Sequence, residues 1–414
     1  MYEYSNKIVG PTMYEYTKWV LLQAHARGLK RIYFLARDGY LLCEMAKMLS
    51  QRHGLDIDCR YLYCSRSALR MPSYHVMQRS EMYDILLLSG YYVTPKTLLE
   101  RGRFTDSELQ RLYDELDITE PDKTLNEGEL NQLREKITRN EFYKQTILER
   151  SRQAYNATID YFKAEGLLDN DYIAIVDSGW TGSMQRSMRQ LLEAHGYTGR
   201  IVGFYFGMYT SPKCECDGEY NTFYFNKKKG DKRKLYFNNN LFECMLSAPH
   251  AMTLYYDYDK SGKAIPVLAS DLSASMLELI NAQLAGALDY TKQRLEQDTI
   301  SYDYKKSIRL CFSLLKRAMV YPTRAEAELL SSFTFCDDIT ENYSLSIASE
   351  QMRGALKNYT IFRRIITKLR GKKQTGEGEL FWPYGVVAFC PKIQRPWYRF
   401  NILLWDLLKL KLKK

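Results

Sequence analysis

Asp177, Ser178, Gly179, Trp180, Thr181, Gly182 and Ser183 follow the apolar run Tyr172 to Val176. Met184, Met188 and Leu191 recur behind them at helical spacing, so the pattern predicts a strand, a tight loop and a helix. An acid at a strand end, then Thr-Gly-Ser at a helix start, suits phosphate chemistry. The first N–H groups of a helix are unpaired and carry the positive end of its dipole. Gly182 admits close backbone approach, and Thr181 and Ser183 add hydroxyl donors. The same residue types also serve as an ordinary N-cap.

A second stretch repeats the arrangement. Ile32 to Ala36 reads as a buried strand, Arg37-Asp38-Gly39 as its loop, and Leu41, Met45 and Leu49 as the stripe of the next helix. A shorter strand, Cys59 to Tyr63, ends in Ser65-Arg66-Ser67. In an open parallel sheet the loops at the carboxyl ends of the strands line one crevice, where ligands bind. Arg37 is therefore expected to face Thr181 across a pocket. The arginines suit an anion, and the acids suit sugar hydroxyls or a magnesium ion. Glu243, in FECMLSAPH, either orients and deprotonates an acceptor or pairs with a lysine on a helix face. His250 is read as a hydrogen bonder or a catalyst, and Trp382-Pro383-Tyr384-Gly385 as a sugar platform or a turn with buried aromatics.

The elements that must hold these residues point to an α/β fold. The chain has 414 residues, 45% of them hydrophobic, enough for two or three domains' worth of core. The first half of the α/β core is expected over 1–99 and a helical insertion over 100–166. The second half, with the phosphate-binding loop, is expected over 167–262. A helical region over 263–375 and a basic, aromatic tail over 376–414 complete the division. Met276, Ile280, Leu284 and Ala287 mark an amphipathic helix in the helical region. The net charge of +10 suggests an anionic partner. Nine scattered cysteines and no signal-peptide pattern suggest a cytoplasmic chain. The close pair Cys214 and Cys216 lacks a second pair at zinc spacing.

The Asp177-to-Ser183 stretch resembles the donor-binding loop of phosphoribosyltransferases, with Asp177 in the first acidic place. Ser178 stands where that family has a second acid, and Trp180 has no counterpart, which sets the chain apart from nucleotide-salvage enzymes. YFLARDGYLL, YCSRSAL, IVDSGWTGSMQ and FECMLSAP, in this order, are similar to the glycan phosphoribosyltransferase module of bacterial polysaccharide ribofuranosyltransferases. That resemblance implies a parallel-sheet phosphoribosyltransferase-like core with large helical insertions. It also implies transfer of 5-phosphoribofuranose from phosphoribosyl diphosphate to a lipid-linked glycan in O-antigen or capsule synthesis. Relatives carry a haloacid-dehalogenase-type phosphatase upstream. This chain has no Asp-x-Asp motif at its start, so a separate phosphatase, or an altered use of the transferase, is expected.

Such a transfer needs an anchor for the 5-phosphate, charge stabilisation for the leaving diphosphate, and a placed acceptor hydroxyl. Thr181, Gly182 and Ser183 are assigned to the anchor, Arg37 and Arg66 to the diphosphate. Asp177 is assigned to the ribose or to Mg2+, and Asp38 to the metal or to the acceptor proton. Gly39, Ser178, Gly179 and Trp180 complete the substrate-binding set, and Asp38, Asp177 and Glu243 the catalytic one.

Two other classes compete. Asp56-Ile57-Asp58 and Asp257-Tyr258-Asp259 look like the acid pairs of metal-dependent sugar-nucleotide glycosyltransferases. The helical segments at 100–166 and 270–370 fit a non-catalytic member of a polysaccharide-assembly complex. No nucleic-acid motif is present, so nucleic acid is not expected as a partner. In the tail, Arg395 to Lys414, the residues Trp397, Phe400, Leu404 and Leu408 share one side if it is a helix. That pattern suggests either peripheral contact with the inner face of the cell membrane or packing on the core.

Overall fold

Five short apolar runs form a parallel sheet in a computed structural model. The structure describes residues 1–88, 93–210, 218–226, 230–335, 345–369 and 380–412. The strands are β1 (Arg31–Leu35), β2 (Asp58–Leu62), β3 (Tyr172–Trp180), β4 (Arg200–Met208) and β5 (Glu219–Phe225). They lie in the order β2-β1-β3-β4-β5, and each neighbouring pair is parallel. A parallel sheet must be covered on both faces, and the strands sort their side chains accordingly. Ile32, Phe34, Ala174 and Val176 enter one apolar core, while Tyr33, Leu35, Ile173 and Ile175 enter another on the opposite face.

Helices supply the cover. The chain starts as α1 (Tyr2–Tyr4), passes through a π-helical turn and continues as α2 (Gly10–Ala26). α2 packs with α3 (Gly39–His53) on the first face, through residues such as Val20, Leu21, Leu42 and Met45. α4 (Arg66–Ser73) follows β2. Between it and β3 run α5 (Arg79–Leu86), α6 (Pro95–Glu100), α7 (Asp106–Glu115), α8 (Glu127–Arg139) and α9 (Glu141–Ala164). Phe162 of α9 covers the second face with Met188 and Leu191 of α10 (Ser183–Ala194). The remaining helices of this segment close a core of their own, with Met82, Leu98, Leu112, Leu133 and Ile147.

After β5 come α11 (Asn239–Cys244) and an antiparallel hairpin of β6 (Thr253–Tyr258) and β7 (Ala264–Leu268). α12 (Ala274–Glu296) buries Ile280, Leu284 and Ala287 against the first face, following the stripe read in the sequence. α13 (Tyr304–Val320), α14 (Arg324–Leu330), α15 (Ile361–Leu369), α16 (Pro383–Ala388) and α17 (Arg395–Leu412) complete the chain, with a two-residue strand pair between α14 and α15. No helix among the described residues is long and apolar enough to cross a membrane.

One boundary differs from the sequence reading. β3 does not stop at Val176 but continues to Trp180. Asp177 pairs with Tyr205, Gly179 with Gly207 and Trp180 with Met208. β4 is buried along its length after Arg200, and its long ladder keeps the end of β3 paired despite its polar, glycine-containing sequence and the positive φ of Gly179 and Trp180. Cys214 and Cys216, and residues 370–379 at the junction of the expected helical region and tail, lie outside the described residues.

A buried ion pair ties the N-terminal helix to the end of α12. Lys18 and Asp298 are 5% and 8% exposed. The Lys18 ammonium donates to both Asp298 oxygens at 2.8 Å and to the Thr299 carbonyl, and His53 Nε2 meets Asp298 at 2.9 Å. Removing one partner strands the other charge. Lys18→Met should therefore lower unfolding stability by about 3 kcal/mol, read as a shifted midpoint in urea.

Candidate functional site

The strand order reverses between β1 and β3, so the loops leaving these two strands diverge and leave a crevice between them. A cavity of about 230 Å³ occupies it, lined by residues 36–38, 64–66, 177–181, 183, 184, 243 and 252. The expected opposition of Arg37 and Thr181 across one pocket is what the geometry has. Gly39 and Gly182 do not line the cavity; they set the backbone of residues that do. Gly39 opens α3 so close to the preceding strand that a Cβ would stand 2.6 Å from the Phe34 carbonyl carbon. Gly182 caps α10 at φ 70°, a left-handed conformation. A Cβ there would meet the Tyr220 ring at 2.5 Å, so its glycine is required by packing and backbone shape before any ligand is considered.

Three carboxyl groups face the cavity, each half-buried. Asp38 occupies the N-cap position of α3 but makes no capping bond. Its carboxylate accepts a hydrogen bond from the Ser178 hydroxyl, which links the β1 loop to β3. Asp177 accepts the backbone N–H groups of Ser178 and Gly179. Burial, with the charges of Asp38 and Glu243 added, pushes its carboxyl up to about 8. Glu243 is pushed up to about 7, again by burial first and Asp38 second. Asp38 is raised by burial against the pull of Ser178, Arg37 and Arg66.

Trp180 explains the position of Glu243. Its Nε1–H donates to Glu243 Oε1 at 2.6 Å, and its ring sits among Tyr209, Phe225, Phe237 and Phe242. The residue that interrupts the loop in sequence is thus an aromatic wall that fixes an acid from α11. Glu243 has this indole as its partner, not the lysine considered from sequence. Arg66 opens α4, with Ser65 capping that helix by accepting the Ala68 N–H. Ser65 also donates to the Thr253 carbonyl, tying the β2 loop to the hairpin. Thr181 is exposed beside the first residue of α10, Ser183.

Sequence reasoning missed Tyr16. Fully buried in α2, it donates from its hydroxyl to the Asp177 carbonyl at 3.0 Å and to the Phe204 carbonyl at 2.9 Å. It pins the strand end beneath the cavity, yet in sequence it is one of 34 tyrosines. Cys64, Met184 and Met252 were also missed as lining residues. Several other candidates lie elsewhere. His250 places Nδ1 against the Ala251 carbonyl and Nε2 against the Tyr61 hydroxyl, and burial lowers its pKa, which makes it a neutral structural link. Trp382 is 0% exposed and donates to the Met319 carbonyl, so it stacks on no sugar. Asp56 pairs with Lys30 and Asp58 with Arg31 and Arg60, at the start of β2 and the far end of the sheet from the cavity. Asp259 closes the β6–β7 turn by accepting the N–H groups of Ser261 and Lys263.

Among the described residues, no group of three or more His, Cys, Asp or Glu side chains is arranged to hold a metal ion. Asp38 and Asp177 are oxygen donors of the kind that Mg2+ takes in ones and twos when phosphate oxygens and waters fill its remaining positions. The acids outnumber Arg37 and Arg66 around the cavity, so an anionic ligand fits best when a cation or a proton accompanies it.

The raised Asp177 carboxyl has a consequence for stability. The folded chain holds this proton more tightly than the unfolded chain. Its stabilising contribution is therefore complete below the unfolded value near 4 and is lost as pH rises through about 8. The cost is reduced by the group's partial exposure to the cavity. Asp177→Asn should raise the melting temperature by about 1–2 °C at alkaline pH and change little in acid. Calorimetry of both chains across this range checks it.

No protein-family model matches this chain, and no curated protein matches it.

Proposed function

We propose that the chain is a glycan phosphoribosyltransferase that moves 5-phosphoribose from phosphoribosyl diphosphate to a glycan hydroxyl. One observation carries the reading: four stretches spread over more than two hundred residues send side chains into the same cavity. The lining residues are Arg37 and Asp38, Ser65 and Arg66, Asp177 to Thr181 with Ser183, and Glu243. The strand order reversal at this point and the helix start beside it fit a phosphate-bearing ligand.

In this reading Thr181, Ser183 and the first N–H groups of α10 hold the 5-phosphate. Arg37 and Arg66 hold the diphosphate and stabilise the charge it gains on leaving. The acceptor oxygen forms a bond to C1 of the ribose as the bond from C1 to the diphosphate oxygen breaks. The electron pair leaves with the diphosphate. The acceptor proton passes to a carboxylate, and Glu243 suits this role because a base titrating near 7 is effective at neutral pH. Trp180 keeps that carboxylate oriented. Mg2+, held by Asp38 and Asp177, would neutralise diphosphate charge when bound. The sugar-nucleotide alternative has less support, because neither of its acid pairs reaches the cavity. Three carboxyl groups raised by burial around one crevice favour a catalytic reading over a purely structural one.

The test is diphosphate release from phosphoribosyl diphosphate with Mg2+ and a panel of glycans, run beside nucleotide sugars. Release from the nucleotide sugar alone would overturn the reading. Arg66→Ala should lower the release rate roughly a hundredfold, with circular dichroism unchanged. Thr181→Val with Ser183→Ala should weaken donor binding about tenfold in calorimetry. These are better probes of the anchor than Gly182→Val, which strains the backbone and strikes Tyr220. Glu243→Gln should remove the acidic limb of the pH–rate profile, where the rate rises as the carboxyl ionises near 7.

A further inference from the structure

The C-terminal helices leave a surface that the cavity does not use. α15 and α17 touch: Asn401 Oδ1 accepts the Ile361 N–H at 3.0 Å, and the Arg364 guanidinium lies 5.5 Å from the Trp405 ring centroid. Asn401 and Ile402 face inward at 1% and 2% exposure. Trp397 and Phe400 of α17 are 60% and 59% exposed, and Ile393, in the turn that precedes the helix, is 88% exposed. On α15, Phe362 is 72% and Ile365 44% exposed. A single exposed apolar side chain needs no explanation, but four large ones on two adjoining helices and a fifth in the turn before α17 do. Leu404 and Leu408, expected on the same side, are half-buried, so the tail packs on the core by one flank only.

The surrounding charge selects the occupant. Arg363, next to Phe362, and Lys392, next to Ile393, are exposed. The one acid of the two helices is Asp406, half-buried and held toward its neutral form by burial. A second copy docking on this face would press these cations against their own equivalents. An anionic bilayer surface has the opposite charge and an apolar layer beneath it, which suits an aromatic stripe rimmed by Lys and Arg. Neither helix is long and apolar enough to cross a membrane.

We propose that the α15–α17 face binds the surface of an anionic lipid bilayer, with Phe362, Ile393, Trp397 and Phe400 entering the headgroup layer and Arg363 and Lys392 meeting lipid phosphates. This does not rest on the donor reading, since binding requires no turnover.

Flotation of the full chain with vesicles tests it. The protein should rise with vesicles of equal parts phosphatidylglycerol and phosphatidylcholine, and roughly tenfold less with phosphatidylcholine alone. Salt should weaken the binding. Phe362→Ser with Trp397→Ser and Phe400→Ser should lose about tenfold or more of the binding to the anionic vesicles. Arg363→Glu with Lys392→Glu should do the same through charge alone, and both variants should melt like the parent. The proposal fails if the parent does not float. It fails equally if both variants float like the parent, or if the parent is a dimer that the serine variant breaks while neither form binds vesicles.

Discussion

Three carboxyl groups share one cavity with two guanidinium groups, and this arrangement is expensive to hold. Each acid is raised above its ordinary range, chiefly by burial. Like charges this close cannot all ionise freely, so the chain must brace them against moving apart or flooding with water. The bracing is specific. Ser178 links Asp38 to β3, Trp180 holds Glu243, and Tyr16 of α2 fixes the backbone of Asp177. The two-faced core is what lets a short loop, a strand end and a six-residue helix act as one rigid wall.

Much of this was legible in the residue order. The apolar runs before Arg37, before Ser65 and before Asp177 announced buried parallel strands. The glycines, serines and threonines after them announced loops and helix starts. Parallel strands then force such loops to the same end of the sheet, so the joint cavity follows from local patterns plus one rule of topology. What the sequence does not carry is the partner of each side chain. The extension of β3 to Trp180 depends on β4, whose own sequence gives no register. Tyr16 reaches Asp177 across 161 positions, and no spacing rule marks that pairing. Trp180 read as an intrusion because its meaning lies in Glu243, 63 positions on.

The failed candidates teach the same point from the other side. Asp-x-Asp pairs are short, and their chemistry depends on which end of a strand they occupy. Asp56 and Asp58 stand at the start of β2, where lysine and arginine from neighbouring segments claim them. Asp259 belongs to a turn, where an aspartate that accepts backbone N–H groups is ordinary. Trp-Pro-Tyr-Gly in sequence is open to a sugar platform or to a turn with buried aromatics, and the structure has the second: the Trp382 indole N–H meets the Met319 carbonyl and the ring lies in the core. A motif gains meaning from its position relative to the sheet's carboxyl edge, and that position is a property of the fold.

The whole-chain charge behaves in the same way. A value of +10 suggests an anionic partner, and the natural place to look for it is the main cavity. Yet the cavity is acid-rich, with Asp38, Asp177 and Glu243 against Arg37 and Arg66. The excess positive charge lies elsewhere, including on α15 and α17, where nearly every charged residue is a cation and Asp406 alone opposes them. Two separate electrostatic problems are therefore solved in different ways. At the cavity, acids are buried and braced, so that proton or cation binding accompanies whatever enters. On the C-terminal helices, Arg364 is buried against aromatic rings while Arg363 stays exposed beside Phe362. Net charge reports only the sum, and the sum conceals that the two surfaces carry opposite balances.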